Sequence, residues 1–203
     1  MNVRKMVFGI SAGMLFMIGT SACLWAGEPG NLILETVDKG LVILKDESLQ
    51  GEEKLEVRKQ RLWEELSPIF NFEEMSKRAL GRYWRERSPE EKEEFVRLFT
   101  DILKESYIGK TDSYSGETIA LIKERQEDRY AKVQTKFILS GGKEASVDFR
   151  LLNNSGKWTI YDVVIEGVSL VNNYRSQFNS ILLKSSYADL LEMMKEKTEK
   201  KKT

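Results

Sequence analysis

Histidine is missing from all 203 residues of this chain, and cysteine occurs once, at Cys23. Without either residue in quantity, the chain cannot assemble a Ser-His-Asp or Cys-His catalytic pair, the common zinc sites, or a haem site with His or Cys ligation. A single thiol makes no internal disulfide. Excess charge of either sign is missing too, with 32 Lys and Arg against 32 Asp and Glu, so there is no global electrostatic footprint for nucleic acid. Carboxylate chemistry is what remains. Asp162 and Glu166, at i and i+4 of one strand, would stand about 13 Å apart, too far to share a site. No set of nucleophile, base and oxyanion donors stands out, so the expectation is a protein without catalytic residues, metal ligands or cofactor.

What is present begins with the order of a secretory leader: the basic MNVRK, an apolar run over residues 6–22, then CLWAGEPGN. Cleavage is expected after Ala26, with Leu24 at the third position before the cut. A competing reading takes Thr20-Ser21-Ala22-Cys23 as the lipobox of a bacterial lipoprotein, with Cys23 lipidated; Thr20 stands where Leu is usual, which favours ordinary cleavage. Removal of residues 1–26 takes away Arg4 and Lys5 and no acid, leaving a slightly acidic chain without cysteine. Residues 27–203 are enough for one domain held by an ordinary core.

From Asn31 to about Lys110 the apolar residues recur at helical spacing. The pattern predicts a first helix carrying Leu32, Ile33, Val37, Leu41 and Leu44, and a second over residues 52–66 that stops at Ser67-Pro68. A short helix over 72–80 breaks at Gly81. Ser88-Pro89-Glu90-Glu91 is a capping box with proline in the first turn; the helix it opens presents Phe95, Leu98, Phe99, Ile102 and Leu103 and runs to about Tyr107.

The period then changes to two. Residues 130–139 alternate Ala131, Val133, Phe137 and Leu139 with Lys132, Gln134 and Lys136; residues 144–151 alternate Ala145, Val147, Phe149 and Leu151 with Glu144, Ser146, Asp148 and Arg150. Turns of hairpin length, 140–143 and 153–156, separate these strands from each other and from Trp158 to Ile165; residues 117–126 form a less regular strand before them. The last strand passes at Glu166-Gly167 into a helix that turns Val171, Tyr174, Phe178, Ile181 and Leu182 to one side. Ser186 caps a final helix with Leu190, Leu191 and Met194, whose KEKTEKKKT tail is expected to fray. The fold class is α+β: a four-stranded antiparallel meander covered by N-terminal and C-terminal helices.

Two blocks carry a resemblance. FNFEEMSKRALGRYWRERSPEEKEEFVRLFTDILKESY, residues 70–107, and IYDVVIEGVSLVNNYRSQFNSIL, residues 160–182, resemble the MlaC (toluene-tolerance, auxiliary ABC-transport) family of Gram-negative periplasmic proteins. The order of elements agrees over essentially the whole of residues 27–203. The resemblance implies a periplasmic carrier whose apolar cavity, between helices and sheet, holds the acyl chains of phospholipid. Its partners would be an outer-membrane lipoprotein complex and an inner-membrane ABC transporter with an MCE-domain subunit. Hopanoid or another lipid as cargo, and an adaptor without lipid, are the alternatives. Burying an acyl chain is favourable by about 0.8 kcal/mol per CH₂, so transfer belongs in a docked complex rather than through water.

The cavity candidates are Phe99 and Ile102 on the capped helix, and Val133, Phe137, Val147 and Phe149 on the alternating strands. Trp158, Ile160, Val163 and Ile165 on the last strand join them, with Val171, Tyr174 and Phe178 beyond it. Core and cavity linings look alike in sequence; only the resemblance favours the latter. Arg175 and Arg82 are candidates for headgroup or partner contact. Arg78, Arg82 and Arg85 would form one basic stripe if their helix ran through Gly81, or a solvated face paired with Glu74 and Glu86; Arg175 could equally pair with Asp162 or Glu166.

Overall fold

In a computed structural model describing residues 27–108 and 116–199, four helices precede an antiparallel sheet and two follow it. Residues 1–26, over which a leader is expected and which include Cys23, and residues 109–115 and 200–203 lie outside the described residues. Helix α1 (Glu28–Lys45) starts ahead of its apolar series, with Pro29 in the first turn, where a backbone N–H has no intrahelical acceptor. Helix α2 (Leu55–Leu66) starts later than the pattern suggests, because residues Glu52–Lys54 form a 3₁₀ turn after Gly51, which sits at φ 92°. Pro68 ends α2 in a second 3₁₀ turn, Ser67–Ile69. Gly40 lets the two helices approach: a Cβ there would stand 3.3 Å from Leu66 Cδ2.

Helix α3 (Phe72–Leu80) is capped by Asn71, whose side-chain oxygen accepts from Glu74 N–H at 2.9 Å. It ends at Gly81, φ 62°, and Gly81–Glu86 continues as 3₁₀, so Arg78, Arg82 and Arg85 do not make a single helical stripe. Helix α4 (Pro89–Tyr107) opens on the expected capping box: Ser88 Oγ accepts from Glu91 N–H at 3.2 Å and Glu91 accepts from Ser88 N–H at 2.8 Å.

The sheet has five strands, in the order β1 (Thr118–Glu127), β2 (Tyr130–Ile138), β3 (Glu144–Asn154), β4 (Lys157–Ile165) and β5 (Val168–Ser169). The fifth corrects the four-stranded expectation. Glu166 and Gly167, at φ 49° and 79°, form a two-residue hairpin that pairs Ile165 with Val168 before the chain enters helix α5 (Leu170–Leu182). Strand and helix are therefore not joined directly. Leu139 lies beyond β2 and is exposed.

One face of the sheet is apolar because the register holds: Val133 opposes Phe149, Phe149 opposes Val163, and Leu151 opposes Ile160. Tyr161 is an extra residue in β4, and this bulge puts Ile160 and Val163 on the same face although three positions separate them. The opposite face carries Lys132, Asp148 and Arg150; Lys132 pairs with Asp148 at 2.8 Å. Helix α6 (Tyr187–Glu199) is capped by Ser186, which accepts from Asp189 N–H at 3.1 Å. It stays helical through Glu199 with Thr198 buried, so the first part of the charged tail is ordered helix rather than frayed.

The core is divided in two. α3, α4, α5 and α6 enclose Phe95, Phe99, Ile102, Val171, Tyr174 and Phe178, with aromatic rings meeting edge-on: Phe99–Tyr174 at 5.0 Å and Phe95–Phe178 at 5.5 Å between centroids. The sheet's apolar face packs Val133, Phe149, Leu151, Trp158, Ile160 and Val163 against Ile33 of α1 and Phe70. Phe70 touches both clusters, and beside it Asn71 N–H donates to Ile160 carbonyl at 2.8 Å, tying the helical layer to the edge of β4.

Candidate apolar binding site

The break between α2 and α3 leaves the space that two packed layers would otherwise fill. Ser67–Ile69 links the two helices, with Leu66 before it and Phe70 after it. Two apolar chambers lie on either side. The first, about 280 Å³, is lined by Trp63, Leu66, Ser67, Phe70, Phe72, Met75, Leu103, Tyr107, Ile108, Phe149, Val163, Ile165 and Leu170. The second, about 240 Å³, is lined by Ile33, Thr36, Val37, Gly40, Leu41, Leu44, Leu62, Leu66, Ile69, Phe70, Phe137, Phe149 and Ile160. Leu66, Phe70 and Phe149 belong to both walls and partition them.

Neither wall contains a charged side chain. Thr36, the polar member of the second, already donates its hydroxyl to Leu32 carbonyl at 2.7 Å. Trp63 and Phe72 meet at 5.4 Å and Phe70 and Phe72 at 5.8 Å, an aromatic ridge along the first chamber. Partial burial pushes the Tyr107 phenol up, with Tyr174 adding to it. Ile165, in the wall of the first chamber, is 39% exposed, so that wall reaches the surface. Such a space suits hydrocarbon, which needs exclusion from water and no polar partner.

Five of the residues singled out from sequence line these chambers: Phe137, Phe149, Ile160, Val163 and Ile165. Phe99, Ile102, Val171, Tyr174 and Phe178 lie together in the helical cluster and line neither chamber. Val133 and Trp158 are buried in the sheet cluster with Val147 packed at its margin, and none of the three faces a chamber. Trp63, Leu66 and Phe70, which line these chambers, were not among the cavity candidates. Their signal was the apolar and aromatic residues flanking the Ser67-Pro68 break, where a core helix would be uninterrupted.

The arginines sort clearly. Arg78 pairs with Glu74 at 2.7 Å and stacks on Tyr161 at 4.1 Å. Arg175 pairs with neither Asp162 nor Glu166: Asp162 accepts from Arg150 at 2.9 Å, Ser169 hydroxyl at 2.7 Å and Val171 N–H at 3.0 Å, and Glu166 accepts from Ser146 N–H. Arg175 instead lies against Gly81, and with Arg82, Tyr83 and Asn179 it lines a polar pocket of about 350 Å³. Arg82 donates to Tyr83 hydroxyl at 2.8 Å. That pocket shares no residue with the apolar chambers. A larger surface depression, about 870 Å³ along the start of α4, is walled largely by charged residues such as Glu90, Glu93 and Arg97.

An open antiparallel sheet, helices over its apolar face and two adjoining chambers with uncharged walls between the layers make up an α+β frame with apolar space inside it. Residues 34–196 match the MlaC protein family, and the chain belongs to it. It is 26% identical over 137 residues to the intermembrane phospholipid transport system binding protein MlaC of Haemophilus influenzae, covering 65% of this chain and 64% of that protein. To the toluene tolerance protein ttg2D of Pseudomonas putida it is 25% identical over 115 residues, 56% of this chain and 54% of that one. The chain thus spans less than two thirds of either relative. The fold is shared with a phospholipid-binding protein of Ralstonia solanacearum solved with a phospholipid: TM-score 0.78, 23% identity, 87% of this chain and all of that one. Among the described residues, no helix is long and apolar enough to cross a membrane.

Proposed function

We propose that the protein is a periplasmic phospholipid carrier that holds acyl chains in the two chambers and exchanges them while docked on membrane complexes. The observation that carries this reading is the pair of adjoining chambers without a charged wall residue, one opening past the exposed Ile165. Together they come within the range of about 300–1,000 Å³ that encloses small ligands. The name of the Haemophilus relative, a phospholipid transport binding protein, supports the cargo class. An inner-membrane MCE-domain ABC transporter and an outer-membrane lipoprotein complex are the proposed partners, and the leader-like residues 1–26 support export. Arg82 and Arg175 lie in a pocket separate from the chambers, which favours a partner contact for them over a headgroup contact.

The test is saturable binding of a fluorescent phospholipid to delipidated protein, with competition by unlabelled phospholipid and none by the water-soluble glycerophospho headgroup. Leu66→Trp, which pushes an indole into the partition, displaces cargo; excluding even two methylenes costs about 1.6 kcal/mol, roughly fifteenfold in affinity. Equal affinity in the variant, or competition by the headgroup alone, contradicts the proposal.

A further inference from the structure

We infer that the bond between Ala26 and Gly27 is the processing site of this chain, and that Glu124 is the seat for the ammonium group its cleavage exposes. Glu124 Oε2 accepts from Gly27 N–H at 2.8 Å and from Gly30 N–H at 3.0 Å. Gly30 stands in the first turn of α1, where backbone donors lack intrahelical acceptors and the helix dipole favours a carboxylate. Glu124 reaches this place from β1. The register shift between Leu121 and Lys123 sets it opposite Val133, on the face that α1 covers, although it is a charged residue.

Gly27 itself is closely enclosed. A Cβ on it would collide with Glu124 Oε1 and stand 3.0 Å from the carboxyl carbon, so any side chain at 27 displaces the carboxylate. Ala26 supplies the small residue required before a leader-peptidase cut. Hydrolysis by that external peptidase adds one water: the C–N bond breaks, Ala26 keeps the oxygen as a carboxylate, and the Gly27 nitrogen leaves as an amine. An α-amine, of pKa about 8, is protonated at neutral pH. The neutral N–H contact with Glu124 thereby becomes an ammonium–carboxylate pair between the same two atoms.

The consequence reaches the binding site, because α1 supplies Ile33, Val37 and Leu41 to the second chamber. Removing the leader fastens that wall to the edge strand. The inference stands independently of which molecule the chamber takes.

The test uses protein exported from the full-length chain. The N-terminal peptide is weighed, and the rate at which its α-amine reacts with an acylating reagent at neutral pH is compared with Glu124→Gln and Gly27→Ala. The expected result is a chain that starts at Gly27, with an amine roughly tenfold slower to react than in either variant, since an adjacent opposite charge holds the proton on. Gly27→Ala keeps the carboxylate and the test if Glu124→Gln fails to fold. A chain that starts elsewhere, including at a lipidated Cys23, or equal amine reactivity in all three proteins, overturns the inference.

Discussion

Asp162 is the most heavily used polar group in the interior. Its side chain is 3% exposed and accepts from Arg150 on β3, from Ser169 on β5 and from the N–H of Val171 in the first turn of α5. The carboxylate therefore joins three strands to a helix N-terminus, where negative charge is also favoured by the dipole. Asp162→Ala strands the Arg150 charge and two donors at once and is expected to lower stability by about 3 kcal/mol, read from the urea midpoint at unchanged slope. Asn, of nearly the same size, keeps an acceptor for Val171 and should cost less. The sequence offered Asp162 and Glu166 alike as partners for Arg175 and could not choose between them. The choice depends on the Tyr161 bulge, which turns Asp162 toward Ser169, and a bulge leaves no periodic mark of its own.

Helix α6 is fastened to α4 by Tyr187, whose hydroxyl donates to Glu91 carbonyl at 2.9 Å while Arg87 lies over its ring at 4.6 Å. Burial, and then the nearby Glu91 charge, push this phenol up from 10.0 to about 12. The folded chain holds the proton more tightly, so the contribution is complete below pH 10 and is lost as pH climbs from 10 toward about 12. Thermal midpoints of the wild type should fall across that window, and Tyr187→Phe should flatten the fall; an unchanged profile would mean that burial does not hold this phenol protonated. Elements whose determinants are local were legible. The Ser88 capping box, the Gly81 stop and the strict alternation of β2 and β3 depend on neighbours within a few residues. β5 was not, because two residues have no period, and its existence rests on the φ that Glu166 and Gly167 adopt together.

The division into a helical core and a sheet core decides what the molecule can hold. Val171, Tyr174 and Phe178 have the spacing of a cover for the sheet, yet they close on Phe99 and Phe95 instead, and the cover is supplied by α1 and the Phe70 turn. Amphipathic spacing tells which face of a helix is buried and is silent about what it is buried against. Spacing alone did not mark out the chambers for the same reason: their walls come from residues far apart in the chain, such as Trp63, Leu103 and Val163. Hydrocarbon that enters apolar space of this kind gains from leaving water. The decisive measurement is native mass spectrometry of protein exported and purified without detergent, followed by organic extraction. The account predicts an added mass that the extract identifies as phospholipid, and that Leu66→Trp reduces. Protein that carries no lipid and takes none up from phospholipid vesicles would contradict it.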